Sequence, residues 1–270
     1  MFHETSTQCY EWLKNQPFVK EESITDWLLY NISRDNDKIC YKAFSRNEEA
    51  LNGSDWEWWF LTNTNSVTKA YRLLIQAKKL KPHEDNYPLI AYSNKNGLQI
   101  DLLIENALKR NALPLYAYYS CCTPDIKEQL INIDYIKPDL LKWCETCKNG
   151  CFLTSAFSLK EKVFNFPRKK IVEKNLINSS FGISIFDKLF YSIPIDSDNL
   201  FKMLNQHFLS FCTYKQIPAS GIEYNYNDLP QYVKTLIEKH PTDDLSWYEK
   251  EFDFQLESLS GVVIIDIRKE

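Results

Sequence analysis

Glycine is scarce in this chain, at six of 270 residues, which argues against a glycine-rich nucleotide-binding sheet. No stretch approaches 18 consecutive apolar residues, so no transmembrane helix is expected and a membrane is not among the expected partners. The opening residues, MFHETSTQCYEW, lack a basic segment followed by an apolar one, and no secretory leader is read from them. Basic residues show no surplus: 32 Lys and Arg face 36 Asp and Glu, for a formal net charge of −4. The whole-chain signature of non-specific nucleic-acid binding is therefore missing, while a local basic surface is compatible with that total. Internal repeats and low-complexity tracts are also lacking, which removes solenoids and long linkers.

Aromatics are abundant: 7 Trp, 16 Tyr and 16 Phe make 14% of the chain, within a total of 44% hydrophobic and 25% charged residues. That composition excludes wholesale disorder and points to a compact aromatic core. The length suits one large domain or two small ones. No clean linker interrupts it, so a single elaborated domain is expected. Eight cysteines without a leader point to a reducing compartment, and a cytoplasmic location is the expectation.

Residues 1–20 read as a lead-in. Ser23-Ile24-Thr25-Asp26 has the form of a capping box, with Ser23 as N-cap and Asp26 three residues on. Ile24, Trp27, Leu28 and Ile32 then continue at helical spacing. Glu21 and Glu22 stand at the start, where negative charge suits the helix dipole. Asn52-Gly53 signals a turn, after which Asp55 to Leu61 reads as a strand. Asp55, Glu57 and Trp59 share one face of it, and Trp56, Trp58 and Phe60 the other. After a turn at Asn63 to Ser66, Tyr71 to Lys78 reads as its antiparallel partner. There Leu74, Gln76 and Lys78 share a face, opposite Leu73, Ile75 and Ala77. Leu98 to Leu108 is an amphipathic helix with Ile100, Leu103, Ile104 and Ala107 on its apolar side, and Pro114 to Tyr119 is a buried strand. The order helix, strand, strand, helix, strand predicts an α/β core with a mixed sheet flanked by helices. Further on, helices are expected at 139–144, 199–211 and 232–238, a short apolar segment at 151–157 and a terminal strand at 262–267.

Chemistry concentrates in Gly53 to Trp59 and Gln76-Ala77-Lys78. If the two strands pair, Asp55 offers carboxylate oxygens to a hard cation and Gln76 offers an amide oxygen beside it. Lys78 points the same way, about 6.6 Å further along the strand. A lysine beside a divalent ion can orient an attacking water or neutralise charge developing on a phosphate. Glu22, arriving on the preceding helix, can add a carboxylate. The structural alternatives are concrete too. Asp55 can end a turn through hydrogen bonds to backbone, and the tryptophans can simply be core. Gln76 and Lys78 are harder to explain that way, because buried amides and ammonium groups need partners.

This arrangement resembles the PD-(D/E)xK nuclease superfamily, whose core carries a glutamate on a helix, an aspartate on one strand and (D/E)xK on the next. It is nearer to the Mrr-type restriction endonuclease branch, where the last motif is commonly QxK, often as QAK; here it is Gln76-Ala77-Lys78-Lys79. The chain is also similar to a bacterial domain family with a G-x-D-W-E-W-W segment (53–59), QAK (76–78), a Gln-containing helix (99–106), a PLY strand (114–116) and a Gly-Cys segment (Gly150-Cys151). The resemblance spans about residues 21–157. It implies a restriction-endonuclease-like fold whose nuclease core occupies 21–157; residues 158–270 are expected to form a C-terminal extension packed on that core. It further implies a Mg2+-dependent endonuclease acting on nucleic acid, DNA before RNA, with Mn2+ as a substitute ion and a role in bacterial defence. The metal ligands would be Asp55, Gln76 and a helix glutamate, Glu22 in preference to its neighbour Glu21, with Glu57 compensating for the missing acid at Gln76. Lys78 would assist the water or the transition state, and Lys79 and Gln99 would meet the substrate. Asp101, beside Gln99, has a plainer role as a helix-start acid. A homodimer and an activating partner from a defence system are carried as expectations. So are two alternatives: a nucleic-acid-binding module with an inactive site, and a protein-interaction module.

Cys144, Cys147 and Cys151, with Cys121 or Cys122, lack the spacing of matched zinc knuckles, and structural zinc is not expected. None of the four histidines, His3, His83, His207 and His240, has a partner at zinc or catalytic spacing, which disfavours a Cys–His nucleophile. Basic residues cluster at Lys78, Lys79 and Lys81, at Lys109-Arg110 and at Arg168 to Lys170. The first cluster follows the QAK strand, where a phosphate backbone would pass.

Overall fold

In the computed structural model, which describes residues 1–34, 36–44, 54–64, 67–79, 93–94, 97–121, 148–165, 180–187, 204, 223–238 and 259–268, an eight-stranded mixed sheet organises the chain. Its strands are β1 (Ile39–Ala43), β2 (Trp56–Thr64), β3 (Val67–Lys79), β6 (Leu113–Tyr119), β7 (Cys151–Ser155), β8 (Phe181–Gly182), β9 (Glu223–Asn225) and β10 (Gly261–Asp266). The spatial order is β1-β10-β2-β3-β6-β7-β8, and β9 pairs with the first half of β3. A separate two-stranded ribbon joins β4 (Ser93–Asn94) to β5 (Gly97–Leu98). The mixed α/β architecture is the one expected. So is the antiparallel β2–β3 pair, while β3 and β6 run parallel across the helix between them.

The alternation along β2 and β3 assigns the faces. Trp56, Trp58, Phe60, Tyr71, Leu73, Ile75 and Ala77 join one cluster with helices α1 (Phe2–Asn15) and α2 (Glu21–Arg34). On the opposite face Leu74, Tyr116 and Tyr118 pack against α3 (Gln99–Lys109) and α4 (Ala156–Asn165). Trp59, Leu61, Val262 and Ile264 pack there against α5 (Gln231–Glu238). Covering both faces of the central strand explains its composition: every residue from Ala70 to Lys78 is buried. Three of them, Arg72, Gln76 and Lys78, are polar or charged. Such groups stay buried only if partners satisfy them.

Several expectations are corrected. Residues 1–20 are not a mere lead-in, because α1 inserts Phe2, fully buried, edge-on against Phe186 with ring centroids 5.7 Å apart. Its inward side is Phe2, Thr5, Ser6, Cys9 and Leu13, and the small polar residues blur the apolar stripe that would have announced it. Gly150 is the reason α1 sits so close: the backbone N–H of Gly150 donates to the Ser6 carbonyl at 2.9 Å. A Cβ at Gly150 would fall 2.2 Å from the Tyr10 nitrogen. Helix α2 starts at Glu21, not after Ser23, so Ser23 is within the helix and caps nothing. Strand β1 was not expected at all.

The terminal strand exists at Gly261–Asp266, but it lies inside the sheet, parallel to β2 and antiparallel to β1. The division at residue 157 therefore cuts through one sheet. The expected helix Tyr232 to Glu238 is present as α5, and the apolar segment after Cys151 divides into β7 and the start of α4. The turn at Asn52-Gly53, the helix at 139–144, most of 199–211, Lys81, Arg168 to Lys170, Cys122, Cys144, Cys147, His83, His207 and His240 lie outside the described residues. No helix among the described residues is long and apolar enough to cross a membrane.

Candidate active site

The polar residues of β3 meet the start of β2 at one end of the sheet, beyond the carboxyl ends of the parallel pair β3 and β6. In open α/β sheets that is where ligands bind. Trp56 is opposite Ile75, so Asp55 falls opposite Gln76, and the Asp55 N–H donates to the Ile75 carbonyl at 2.9 Å. The Asp55 carboxylate turns back onto the same strand: Oδ2 accepts the Ala77 N–H at 2.9 Å and the Gln76 Nε2 amide at 2.5 Å. Gln76 Nε2 places its second hydrogen on the Ala77 carbonyl, at 3.1 Å. The other end of that side chain, Oε1, accepts from Gln99 Nε2 at 2.8 Å. Gln99, the first residue of α3, thus touches Gln76. Its own Oε1 is buried without a hydrogen-bond partner.

Strand register sets the floor of the site. Tyr116 lies opposite Gln76 and Tyr118 opposite Lys78, with the two rings stacked at 6.0 Å between centroids. Burial, then the negative charges of Asp55 and Asp101, push the Tyr116 phenol well above its ordinary range, so it stays protonated. Its hydroxyl is a second buried polar atom with no hydrogen-bond partner. Tyr116 carried no functional expectation, and a tyrosine in the apolar run Leu113 to Tyr119 gives no sequence signal of its own.

Helix α2 brings the third element. Glu21 Oε2 accepts the backbone N–H of Lys79 at 2.5 Å, and Oε1 lies 4.0 Å from the Lys78 ammonium, whose side chain is 9% exposed. Burial pushes the Glu21 carboxyl up to about 7; the Lys78 charge opposes that rise and Asp55 adds to it. Of the two glutamates that could serve, the preferred Glu22 is on the exposed side of α2, and Glu21 is the one that reaches the strand ends. The approach of Glu21 is fixed by Thr25, one turn on, whose hydroxyl shares a hydrogen with the Tyr119 hydroxyl at 2.8 Å.

Glu57 is on the same face as Asp55 but is committed elsewhere. It is fully buried, its carboxylate accepts from Trp59 Nε1 and the Tyr232 hydroxyl, and it pairs with Arg72 at 2.5 Å. It therefore neutralises Arg72 and is not placed to compensate for the missing acid at Gln76. Lys79 donates its ammonium to the Pro17 carbonyl at 2.6 Å. Burial lowers its pKa against the pull of Glu21, so its role is to tie the 17–21 segment to β3. Asp101 pairs with Lys160 at 2.8 Å, joining α3 to α4. Cys151 is buried in β7, its thiol pushed well above the ordinary range by burial, as fits a core thiol.

The chain matches, over residues 1–269, a family described as a family of unknown function, DUF6615. The chain belongs to DUF6615. No curated protein and no solved structure matches it. The DUF6615 match runs through α1 at one end and β10 at the other, so it embraces the whole sheet and not only residues 21–157.

The donors at the strand ends suit a hard cation. Asp55 and Glu21 are carboxylates and Gln76 an amide, all oxygen-bearing groups of the kind that hold Mg2+ or Mn2+. Burial is the main cause of the raised Glu21 pKa and the negative charge of Asp55 adds to it; a bound cation would offset that charge. Among the described residues no three His, Cys, Asp or Glu side chains gather as a ready metal site, so an amide oxygen must complete the set. Gln76 presents its NH2 group, not its oxygen, to Asp55.

Proposed function

We propose that this DUF6615 chain is a metal-dependent nuclease of PD-(D/E)xK type that hydrolyses phosphodiester bonds in nucleic acid, with DNA as the expected substrate. The observation that carries this reading is the convergence of Asp55, Gln76, Lys78 and Glu21, from three separate elements, at the carboxyl end of β3. Asp55 and Glu21, with Gln76 as a neutral third donor, are the residues that would hold a Mg2+ ion, which when bound would polarise the phosphate and make a water more acidic.

The chain's own residues do the rest. Lys78 brings a nearly buried ammonium to the same end of the sheet, where low exposure strengthens its attraction for an anion. It is suited to hold the attacking water or to neutralise charge gained by the phosphate. The hydrogen bond from Ala77 N–H to Asp55 Oδ2 holds the carboxylate at the end of β3. A role in defence against foreign DNA rests on fold-level analogy, as does an activating partner protein.

The competing reading is a nucleic-acid-binding module on the same scaffold, favoured by the missing three-acid cluster among the described residues. Among the described residues the large exposed apolar side chains are Phe18, Tyr30, Val67 and Leu108. The test is incubation with plasmid and single-stranded DNA and RNA, in Mg2+, Mn2+ or EDTA, beside Asp55→Ala, Lys78→Ala, Glu21→Gln and Glu22→Gln. The first three should lower cutting by about 100-fold or more, with Glu22→Gln close to wild type. Folded wild type that is inert on every substrate, yet binds DNA, would move the binding module ahead.

A further inference from the structure

We infer that Gln99 is a positioning residue that selects which end of the Gln76 amide faces Asp55, and so whether β3 offers an oxygen or an NH2 group there. The inference rests on the metal-site reading above and deepens it. Its basis is an asymmetry in two adjoining amides. Gln76 Nε2 uses both hydrogens, one on Asp55 Oδ2 at 2.5 Å and one on the Ala77 carbonyl at 3.1 Å. Gln76 Oε1 is held away from Asp55 by the Gln99 NH2 group at 2.8 Å. The partner end of Gln99, its Oε1, is buried and satisfied by nothing.

An amide has donors at one end and an acceptor at the other, nearly equal in shape. Reversing both side chains about their last bonds keeps a hydrogen bond between them: Gln76 Nε2 then donates to Gln99 Oε1. Reversal also turns Gln76 Oε1 towards Asp55 Oδ2 and the Ala77 carbonyl. Three oxygens facing one another repel unless a cation stands among them. The arrangement with NH2 towards Asp55 and its reverse are thus two alternatives, and a cation would favour the reverse. After reversal the Gln99 oxygen, which has no hydrogen-bond partner here, accepts from Gln76, and the Gln99 NH2 group takes the place it leaves. Gln99 couples the two states because it can both donate and accept.

The assay is Mn2+ binding to the full chain by calorimetry, which needs no turnover. Gln99→Glu can only accept, which favours the reversed amide, while Gln99→Lys can only donate, which pins the amide as it is. Each is measured in the wild-type background and again with Gln76→Glu, whose carboxylate carries oxygen on both branches and has no orientation to choose. With Gln76 present, Gln99→Glu should tighten and Gln99→Lys should weaken binding, each by about tenfold, the range seen when groups behind a metal ligand are altered. With Gln76→Glu both effects should shrink to what added charge alone produces. Equal factors in the two backgrounds would overturn the role of Gln99 while leaving the metal site standing. Wild type that takes up no Mn2+ would overturn the metal site, and this inference with it. Thermal unfolding of each variant separates loss of binding from loss of fold.

Discussion

Replacing Glu57 with Gln removes the one charge that neutralises a guanidinium buried inside the sheet. Arg72 is 7% exposed and Glu57 fully buried, and their closest atoms are 2.5 Å apart. Burial alone would pull the Arg72 pKa down; the Glu57 carboxylate more than reverses this and holds it above its usual range. Trp59 Nε1 and the Tyr232 hydroxyl also donate to that carboxylate, so the neutral amide must both leave the cation unpaired and set an NH2 group against donors. Breaking a buried pair in this way costs about 3–5 kcal/mol. For a chain of this size that corresponds to a drop in Tm of roughly 10 °C. The assay is urea unfolding followed by tryptophan fluorescence, with Arg72→Met and the double variant beside it. The double variant should be clearly more stable than the sum of the two single losses predicts, since it leaves no unpaired charge. Mn2+ affinity should be unchanged in Glu57→Gln, whereas Asp55→Ala should abolish it. A Glu57→Gln loss under about 1 kcal/mol, or simple additivity in the double variant, would refute the reasoning.

Gly150→Ala should cost about 3 kcal/mol, because its Cβ would fall 2.2 Å from the Tyr10 nitrogen and 2.6 Å from the Cys9 carbonyl carbon, both rigid backbone atoms. An unchanged urea midpoint would mean that α1 does not lie against Gly150. Glu21 makes metal-free stability depend on pH: its pKa rises from 4.5 to about 7 on folding, so the folded state binds more protons between those values. Stability contributed by its protonated form is full below pH 4.5 and falls as pH rises through 7, by at most about 3 kcal/mol. Unfolding in EDTA across that range, with Glu21→Gln as the flat control, checks the sign. Deleting residues 158–270 should leave no cooperative fold, because Val262 to Ile265, each at most 2% exposed, sit between β1 and β2. Sharp thermal unfolding of residues 1–157 would show that the sheet closes without β10.

What could be read along the chain was local. The alternation in Asp55 to Leu61 and Tyr71 to Lys78 assigned every side chain to its face, since the period of a strand is two and both faces here are covered. Strand β10 shows the limit. Val262 to Ile267 announces a strand by composition, but its place depends on pairing with residues more than 200 positions earlier, which no local pattern encodes. Glu57 shows a different limit. Its face was legible and its purpose was not, because the cation that claims it, Arg72, was read only as part of an apolar strand.

Glu21 and Glu22 differ from both cases, since the sequence held enough to separate them. On a helix, residues three and four apart share a face, and Glu21 leads into Thr25, Leu28 and Ile32, all buried. Glu22 leads into Asp26 and then Tyr30, which are exposed. Beginning the helix at the Ser23 capping box leaves both glutamates at its edge, where the stripe no longer chooses between them; the helix in fact starts at Glu21. Counted from Glu21, the buried stripe of α2 ends at the site with a carboxylate, and the solvent stripe ends with the other. An acid that continues an apolar stripe must be satisfied by something at the end of that stripe. Here that is the backbone of Lys79 and the ammonium of Lys78, the two residues that complete the QAKK run.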